Sequence, residues 1–147
     1  MGQIALIAED ELAGAVLGSC IGLAIYHPRF NVAAVAHIVL AQSAGRSGMP
    51  GKFADTAIPE MLRLLAAEGV SPTGLVSKLA GGSNMFGSNG PIQVGEANHA
   101  AVVELLKHSA IQVAAEDVGG SKGRRIRFDP TSKDMLIEIA GCEPVCL

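Results

Sequence analysis

The stretch LGSCIGLAIYHPRFNVAAVAHIVL, residues 17–40, decides the fold of this chain because it predicts a β-hairpin. Two apolar runs rich in branched aliphatic residues, 20–26 and 32–40, lie on either side of the more polar segment 27–30. Pro28 fits the connecting loop, since proline inside a central strand would remove a ladder hydrogen bond. Both strands are apolar at successive positions, which predicts that other layers cover both faces of their sheet.

The hairpin predicts a specific pair of neighbours. If the loop is 27–30, Tyr26 pairs with Asn31, and counting back along the antiparallel ladder places Cys20 directly opposite His37. Directly opposed side chains share a face, with Cβ atoms roughly 4.5–5.5 Å apart. A change of one residue in register would separate the two side chains onto opposite faces. We therefore expect a thiol and an imidazole in contact.

Cysteine and histidine together can catalyse acyl transfer. A neighbouring imidazole can activate Cys20 as a nucleophile, and His37 can serve as the base and then as the acid for the leaving group. Gly18 and Ser19 precede the thiol, so backbone N–H groups there could stabilise an oxyanion. The alternative is structural: buried cysteines are mostly inert small hydrophobes, and a histidine on an apolar strand is more often a core residue than a catalyst.

The rest of the chain predicts an α+β fold in which layered β-sheets pack with helices. The order is irregular, without a repeated βαβ alternation. Further strands are predicted at 4–8, 15–17, 75–80, 111–115, 125–128 and 135–139, and helices at 55–69 and 95–108. In the first helix Asp55 or Thr56 can cap the N-terminus, Pro59 is tolerable only in the first turn, and Gly69 provides the stop. Residues 42–52 are expected to form a surface loop.

Composition bounds the function. The 147 residues suit one domain, predicted at 1–140 with a C-terminal tail at 141–147, and 49% of them are apolar. The net charge of −3 and the lack of a basic stripe argue against nucleic acid. No apolar run has transmembrane length, and no signal peptide precedes the acidic segment 9–11, so a cytoplasmic protein is expected.

Other segments are poor candidates for chemistry. The Gly-rich segment 81–90 lacks the spacing of a phosphate-binding loop. Cys142 and Cys146 are expected to be thiols of an unstructured tail, without the second pair of ligands that a metal site needs, and no cofactor is predicted. A basic cluster is expected on a solvated strand edge and comprises Lys122, Arg124, Arg125 and Arg127. Asp117 is expected in a turn.

The hairpin resembles the active-site hairpin of the CheD family, which comprises chemoreceptor glutamine deamidases of bacterial and archaeal chemotaxis. Further similar motifs follow in order along nearly the whole chain. They are PGKFADTAIPEML at 50–62, KLAGGSNMF at 78–86, VGEAN at 94–98 and AEDVGGSKGRRIRFD at 115–129. The resemblance implies a cysteine hydrolase related in fold to the cytotoxic necrotizing factor toxins, with Cys20 as nucleophile and His37 as base.

The resemblance also implies partners. The substrates would be glutamine side chains on chemoreceptor cytoplasmic helices, which are converted to glutamate through a thioester, and the second partner would be the CheC phosphatase. Ser83, Asn84 and Phe86 lie in a segment that the family places near the active-site face, so they are candidates for substrate docking. The runner-up interpretation is an adaptor with weak or no catalysis that regulates CheC, and a purely structural domain comes third.

This sequence departs from the family pattern at three positions. Gly14 replaces a threonine that is thought to orient the histidine, and a main-chain carbonyl would then have to take that role. Ala97 stands where the family often has arginine, and Phe53 replaces a commoner tyrosine. The first departure bears on catalytic efficiency, and the second bears on contacts with substrate or partner.

Overall fold

The computed structural model describes residues 1–85 and 93–147. These residues form two sheets and two α-helices, as the α+β prediction requires. The elements are β1 (Ile4–Ala8), β2 (Ala13–Leu17), β3 (Ile21–Tyr26), β4 (Val32–Ile38), a short 3-10 helix (Pro50–Lys52), α1 (Ala54–Ala67), β5 (Val76–Gly81), α2 (Val94–His108), β6 (Gln112–Val118), β7 (Arg124–Phe128), β8 (Met135–Glu138) and β9 (Val145–Cys146).

The two sheets pack against each other. The central sheet has the order β1-β4-β3-β5-β6, in which only the described pair β5–β6 is parallel, and the second sheet has the order β2-β7-β8-β9. One face of the central sheet is covered by α1 and α2, and the other by the second sheet. Every residue of β3 is buried, which confirms the prediction that layers cover both faces of the hairpin.

Side chains of β3 and β4 alternate between the two cores. Ile21 and Leu23 lie in the core shared with the helices, whereas Cys20, Ala24 and Tyr26 lie in the core between the sheets. This alternation is the period of a strand, whose successive side chains point to opposite faces. Cys20 therefore faces the second sheet rather than the helices.

The register of the hairpin differs from the predicted one. Tyr26 pairs with Ala33, not with Asn31, and His37 pairs with Gly22, not with Cys20. The reason lies in β1, because Val32 pairs with its residue Ala8 and the loop between β3 and β4 is correspondingly longer. The ladder is displaced by two residues, which preserves the face of every side chain.

The first helix starts differently from the prediction. α1 begins at Ala54 with Phe53 as its N-cap, which makes no side-chain capping bond, so neither Asp55 nor Thr56 is the cap. The Asp55 carboxylate instead accepts hydrogen bonds from the backbone N–H and the hydroxyl of Ser43, at 3.0 Å each. It thereby anchors the loop that precedes the helix. Pro59 lies in the second turn of α1 rather than the first.

Arg124 is an exception to the predicted solvated cluster. It is 4% exposed, and its Nη1 pairs with a carboxylate oxygen of Asp117 at 2.8 Å. Asp117 lies in β6, not in a turn, so this ion pair joins the central sheet to the second sheet. Arg125 and Arg127 alternate with the buried positions of β7 and are exposed, as predicted.

The C-terminal segment is more ordered than predicted. Cys146 lies in β9 and pairs with Leu136 of β8, so the expectation of an unstructured tail is wrong for this residue. Cys20, Cys142 and Cys146 are all free thiols, and only Cys20 is buried. Among the described helices, none combines the length and apolarity that crossing a bilayer requires.

Candidate active site

The site is built at the end of the β3–β4 hairpin that lies away from its loop. His37 is directly opposite Gly22, and Cys20 lies two residues before Gly22 on the same side of the sheet. Cys20 therefore occupies the position diagonal to His37, at which Cβ atoms are less than roughly 7–8 Å apart and a long or aromatic side chain can reach across. The structure brings the two predicted residues to one face, although not into direct opposition.

Gly22 makes this arrangement possible. A Cβ atom at Gly22 would lie 2.4 Å from Cδ1 of Ile126 and 2.9 Å from Cδ1 of Leu17. These distances are too short for real contacts, so the second sheet packs directly onto the backbone between Cys20 and His37. The sequence alone did not predict that this position requires glycine, because the requirement arises from packing against the second sheet.

A second glycine holds the backbone of Cys20. Gly81 at the end of β5 has φ of 113°, and a Cβ atom there would lie 2.1 Å from the carbonyl oxygen of Cys20. Only glycine allows this approach at a positive φ. The next residue, Gly82, donates its N–H to the same carbonyl at 2.9 Å. Gly81 and Gly82, at the start of the Gly-rich segment, thus position the candidate nucleophile, a role that the sequence pattern did not predict.

Three successive carbonyls before β3 accept hydrogen bonds from the protein. Ser83 N–H donates to Gly18 at 3.0 Å, the Asn98 side-chain amide donates to Ser19 at 3.0 Å, and Gly82 N–H donates to Cys20. In a planar trans peptide the carbonyl and the following N–H point in opposite directions. The peptide N–H groups of this segment therefore point away from the residues that bind its carbonyls.

Burial controls the protonation of the pair. Burial raises the pKa of the Cys20 thiol, and the ammonium group of the N-terminus and the Cys20 backbone N–H lower it by less. Burial also lowers the pKa of His37, and the positive charge of the N-terminus acts in the same direction. At neutral pH the resting pair is thus a thiol and a neutral imidazole, not a thiolate and an imidazolium.

His37 has unused hydrogen-bonding capacity. Its Nε2 atom is buried and lacks a partner within residues 1–85 and 93–147. His37 and Gly14 both line a cleft of about 250 Å³ that also borders β1. Gly14, the position of the family threonine, thus shares a cleft with His37, and a role of this position in orienting the imidazole stays a prediction. A neutral imidazole with a free nitrogen can accept the proton of a thiol.

The predicted docking residues lie in different environments. Ser83 is 1% exposed, and its hydroxyl makes no hydrogen bond to the described part of the chain. Asn84 is half-buried and donates from its side chain to Gln93 at 2.6 Å. Phe86 lies outside the described residues. A docking role for these three residues stays a prediction.

Asn98 is a site residue for which the sequence pattern predicted no role. It is 1% exposed, and its side-chain amide nitrogen donates to Ser19 and also to the carbonyl of Val39 at 2.9 Å. The available signal was its position on the apolar face of the predicted helix, four residues before the buried Val102. A polar side chain at such a position needs buried partners.

Comparisons with known proteins identify the family of this chain. The family model described as CheD chemotactic sensory transduction matches residues 39–139. A Syntrophomonas wolfei protein named probable chemoreceptor glutamine deamidase CheD is 37% identical over 139 residues, covering 91% of this chain and 86% of that protein.

Two other relatives give the same result. A Caldanaerobacter subterraneus protein with the same name is 42% identical over 130 residues, with 85% of this chain and 80% of that protein covered. The chemoreceptor glutamine deamidase CheD of Thermotoga maritima is 36% identical over 125 residues, with coverages of 85% and 79%. Both the family model and the extent of these matches show that the chain belongs to the CheD family.

Proposed function

We propose that this protein is a chemoreceptor glutamine deamidase that uses Cys20 as nucleophile and His37 as general base. The observation that carries the proposal is the placement of both side chains on one face of the hairpin, diagonal to each other across Gly22. The names of the relatives supply the substrate, a glutamine side chain of a chemoreceptor. The reaction converts that amide to a carboxylate and adds one negative charge to the receptor.

The protonation states favour a general-base mechanism. Neutral His37 accepts the thiol proton as Cys20 Sγ attacks the amide carbon, which forms the C–S bond and a tetrahedral oxyanion. The imidazolium then gives this proton to the leaving nitrogen, the C–N bond breaks, and ammonia departs from a thioester. His37 next removes a proton from water, whose oxygen attacks the thioester, and release of the thiol leaves glutamate.

Backbone groups near the nucleophile suit the oxyanion. The carbonyls of Gly18 and Ser19 are both bound inside the protein, so the N–H groups of Ser19 and Cys20 point the other way. We propose that these N–H groups donate to the oxyanion of the tetrahedral intermediate. Gly14 contributes no side chain to the site, and we propose that a backbone carbonyl near the cleft orients His37 instead.

The test is mass spectrometry of a chemoreceptor cytoplasmic fragment from the same organism, incubated with the protein. Conversion of specific glutamines to glutamate is expected with the wild type and not with Cys20→Ala or His37→Ala. Circular dichroism of both variants controls for loss of the fold. Absence of conversion by a folded wild type, or equal conversion by Cys20→Ala, would overturn the proposal.

A second candidate function is an adaptor that binds the CheC phosphatase. The raised pKa of the Cys20 thiol and the missing side chain at Gly14 favour it, because both reduce the reactivity of the resting site. An adaptor should bind CheC with the same affinity whether or not it carries Cys20→Ala, and should leave receptor glutamines unchanged. Titration calorimetry beside the receptor assay separates the two functions.

We also propose that the arrangement of helices, central sheet and second sheet is shared with the cytotoxic necrotizing factor toxins. The two-sheet arrangement with helices on one face supports this relation, together with a cysteine before β3 and a histidine on β4, which the resemblance places in one hairpin. Superposition of a toxin catalytic domain on the β3–β4 hairpin tests it. The proposal fails if the toxin cysteine and histidine lie on other elements.

A further inference from the structure

Asn98 holds together the ends of the two strands that carry the proposed catalytic pair. The last rung of the β3–β4 ladder joins Ile21 to Ile38, and beyond it the two chains separate. On one side the carbonyl of Ser19, and on the other the carbonyl of Val39, point to the same amide nitrogen. The two hydrogens of that nitrogen match the two carbonyl acceptors, so the side chain closes the open end of the hairpin.

The two carbonyls would otherwise lack a shared donor. The backbone N–H of Val39 and that of Leu40 both donate to the carbonyl of Lys52, so the chain after β4 is drawn toward the short helix that precedes α1. The carbonyl of Cys20 is bound by Gly82 on the other side. Within the described residues, the Asn98 amide therefore links the Cys20 end of β3 to the His37 end of β4.

Helix α2 packs closely on the backbone that follows β5, and this packing positions the Asn98 side-chain amide. A Cβ atom at Gly95 would lie 2.5 Å from the carbonyl oxygen of Gly82 and 2.6 Å from that of Ser83, so the first turn of α2 rests directly on that backbone. Gly95 and Asn98 are three residues apart and share a face of the helix. Val102 and Leu106 continue the same face into the core.

The side chain is not optimised for stability. The Oδ1 atom of Asn98 is buried and finds no hydrogen-bond partner in the described ranges 1–85 and 93–147. A buried polar atom without a partner is unfavourable. The two hydrogen bonds that its amide nitrogen donates to Ser19 and Val39 therefore explain why an asparagine occupies this position.

The Ser19 contact also acts on the thiol. The carbonyl of Ser19 and the N–H of Cys20 belong to one planar peptide and point in opposite directions. Because Asn98 binds this carbonyl from the α2 side, the Cys20 N–H points to the opposite side, where the oxyanion is proposed to form. The same N–H lowers the pKa of the Cys20 thiol. Asn98 thus influences both the position of the thiol and the direction of an oxyanion donor.

We infer that Asn98 is a positioning residue of the deamidase, which sets the Ser19–Cys20 peptide against the end of β4 without touching the substrate. The inference rests on the proposed function for its catalytic consequence. The VGEAN segment then positions the site from the helix side of the central sheet. Gly95 lets α2 pack closely on the backbone of Gly82 and Ser83, and Asn98 links the two strand ends.

The test compares Asn98→Leu with Val102→Ala in a chain whose other thiols are removed by Cys142→Ser and Cys146→Ser. Leucine is close to asparagine in shape but donates no hydrogen bond, and Val102→Ala disturbs the same buried helix face without touching the strand ends. We expect Asn98→Leu to lower kcat by about 100-fold, as a misplaced catalytic group does, with KM little changed. Val102→Ala should lower thermal stability and leave kcat within about twofold, because the reacting groups stay in place.

A second readout does not depend on the receptor. With the Cys20 N–H no longer directed, the pH profile of Cys20 alkylation should move to higher pH, and alkylation below the midpoint should become slower. If Asn98→Leu does not fold, Asn98→Ser, which retains one donor, is measured instead and should show the same changes in smaller degree. An unchanged alkylation profile with unchanged kcat, or losses matched by Val102→Ala, would overturn the inference.

The two readouts separate this inference from the proposed function. A wild type that leaves receptor glutamines unchanged contradicts the deamidase. The alkylation profile of Asn98→Leu still tells whether Asn98 directs the Cys20 peptide. A shifted profile in that case retains the positioning role, and an unshifted profile rejects it.

Discussion

Gly22 of β3 lies directly across the ladder from His37 of β4, and this pairing determines the geometry of the site. Because Gly22 has no side chain, the second sheet can approach the backbone there, and Cys20 can share the face of His37 from the diagonal position. The proposed nucleophile and base are thereby held by the hairpin and its flanking layers rather than by a surface loop.

Gly22→Ala should destabilise the protein. The added methyl group would overlap Ile126 and Leu17 of the second sheet at 2.4 and 2.9 Å, and relief of such overpacking costs about 1–3 kcal/mol. Chemical denaturation should show this loss in the free energy of unfolding. Gly14→Ala is the comparison, because its nearest described neighbour, the carbonyl oxygen of Ile126, lies 3.3 Å away, so a small adjustment is sufficient and the loss should be smaller than at Gly22. Equal stabilities of the two variants would contradict the packing.

Alkylation of Cys20 should be slow at neutral pH and should rise with pH. Only the thiolate reacts, and burial raises the pKa of this thiol, so the midpoint of the rate profile should lie above that of the same chain in denaturant. Below the midpoint the rate should increase about tenfold per pH unit. Iodoacetamide labelling measured in a Cys142→Ser, Cys146→Ser background reports this thiol alone. A midpoint at or below the denatured reference would contradict the effect of burial on this thiol.

Gly14→Thr should increase deamidation, and Gly14→Val should not. Gly14 lines the same cleft as His37, whose Nε2 has no partner in the described part of the chain, and the prediction is that a threonine hydroxyl at this position reaches Nε2. A net hydrogen bond of about 1 kcal/mol corresponds to roughly fivefold in rate if it forms in the transition state. Valine has the shape of threonine without the hydroxyl, so the ratio of kcat between the two variants isolates the hydrogen bond. A ratio of one would show that the hydroxyl does not reach the imidazole.

Arg124→Met should lower the free energy of unfolding by about 3 kcal/mol. The guanidinium is 4% exposed, pairs with Asp117, and also donates to the carbonyl of Gly119, so its removal leaves acceptors at the end of β6 without their donor. Arg127→Met, on the exposed face of the same strand, is the control and should change stability by no more than about 0.5 kcal/mol. Thermal or urea unfolding measures both variants, and similar losses would show that the ion pair between the sheets contributes little.

Much of the local structure could be predicted from the sequence. The strand predicted at 4–8 is β1, and the helix predicted at 95–108 is α2 with one more residue at its start. These elements have apolar patterns with the period of their own secondary structure, so local information is sufficient for them. In α1, Ala57, Ile58 and Met61 lie at helical spacing in the sequence and face the core, so a local pattern is sufficient there as well.

Contacts between distant segments explain why the sequence-based predictions for Asp55 and Arg124 were wrong. Asp55 has the chemistry of a helix cap, but Ser43 in the preceding loop offers its carboxylate better-placed donors. Arg124 belongs to a run of basic residues that suggests a solvated edge, yet it is buried because Asp117 of another sheet neutralises it. A pattern of residue types along the chain carries no information about which distant group becomes a partner.

The sequence by itself determined a hairpin that is apolar on both faces, and the strand alternation that lets Cys20 and His37 share a face when the register is displaced by an even number of residues. The tertiary structure alone decided that they are diagonal rather than opposed, because β1 takes Val32 as its partner and lengthens the loop. It also decided how the site is held. Asn98 reaches the strand ends from α2, and the second sheet closes over Gly22, through packing between segments that a linear pattern does not record.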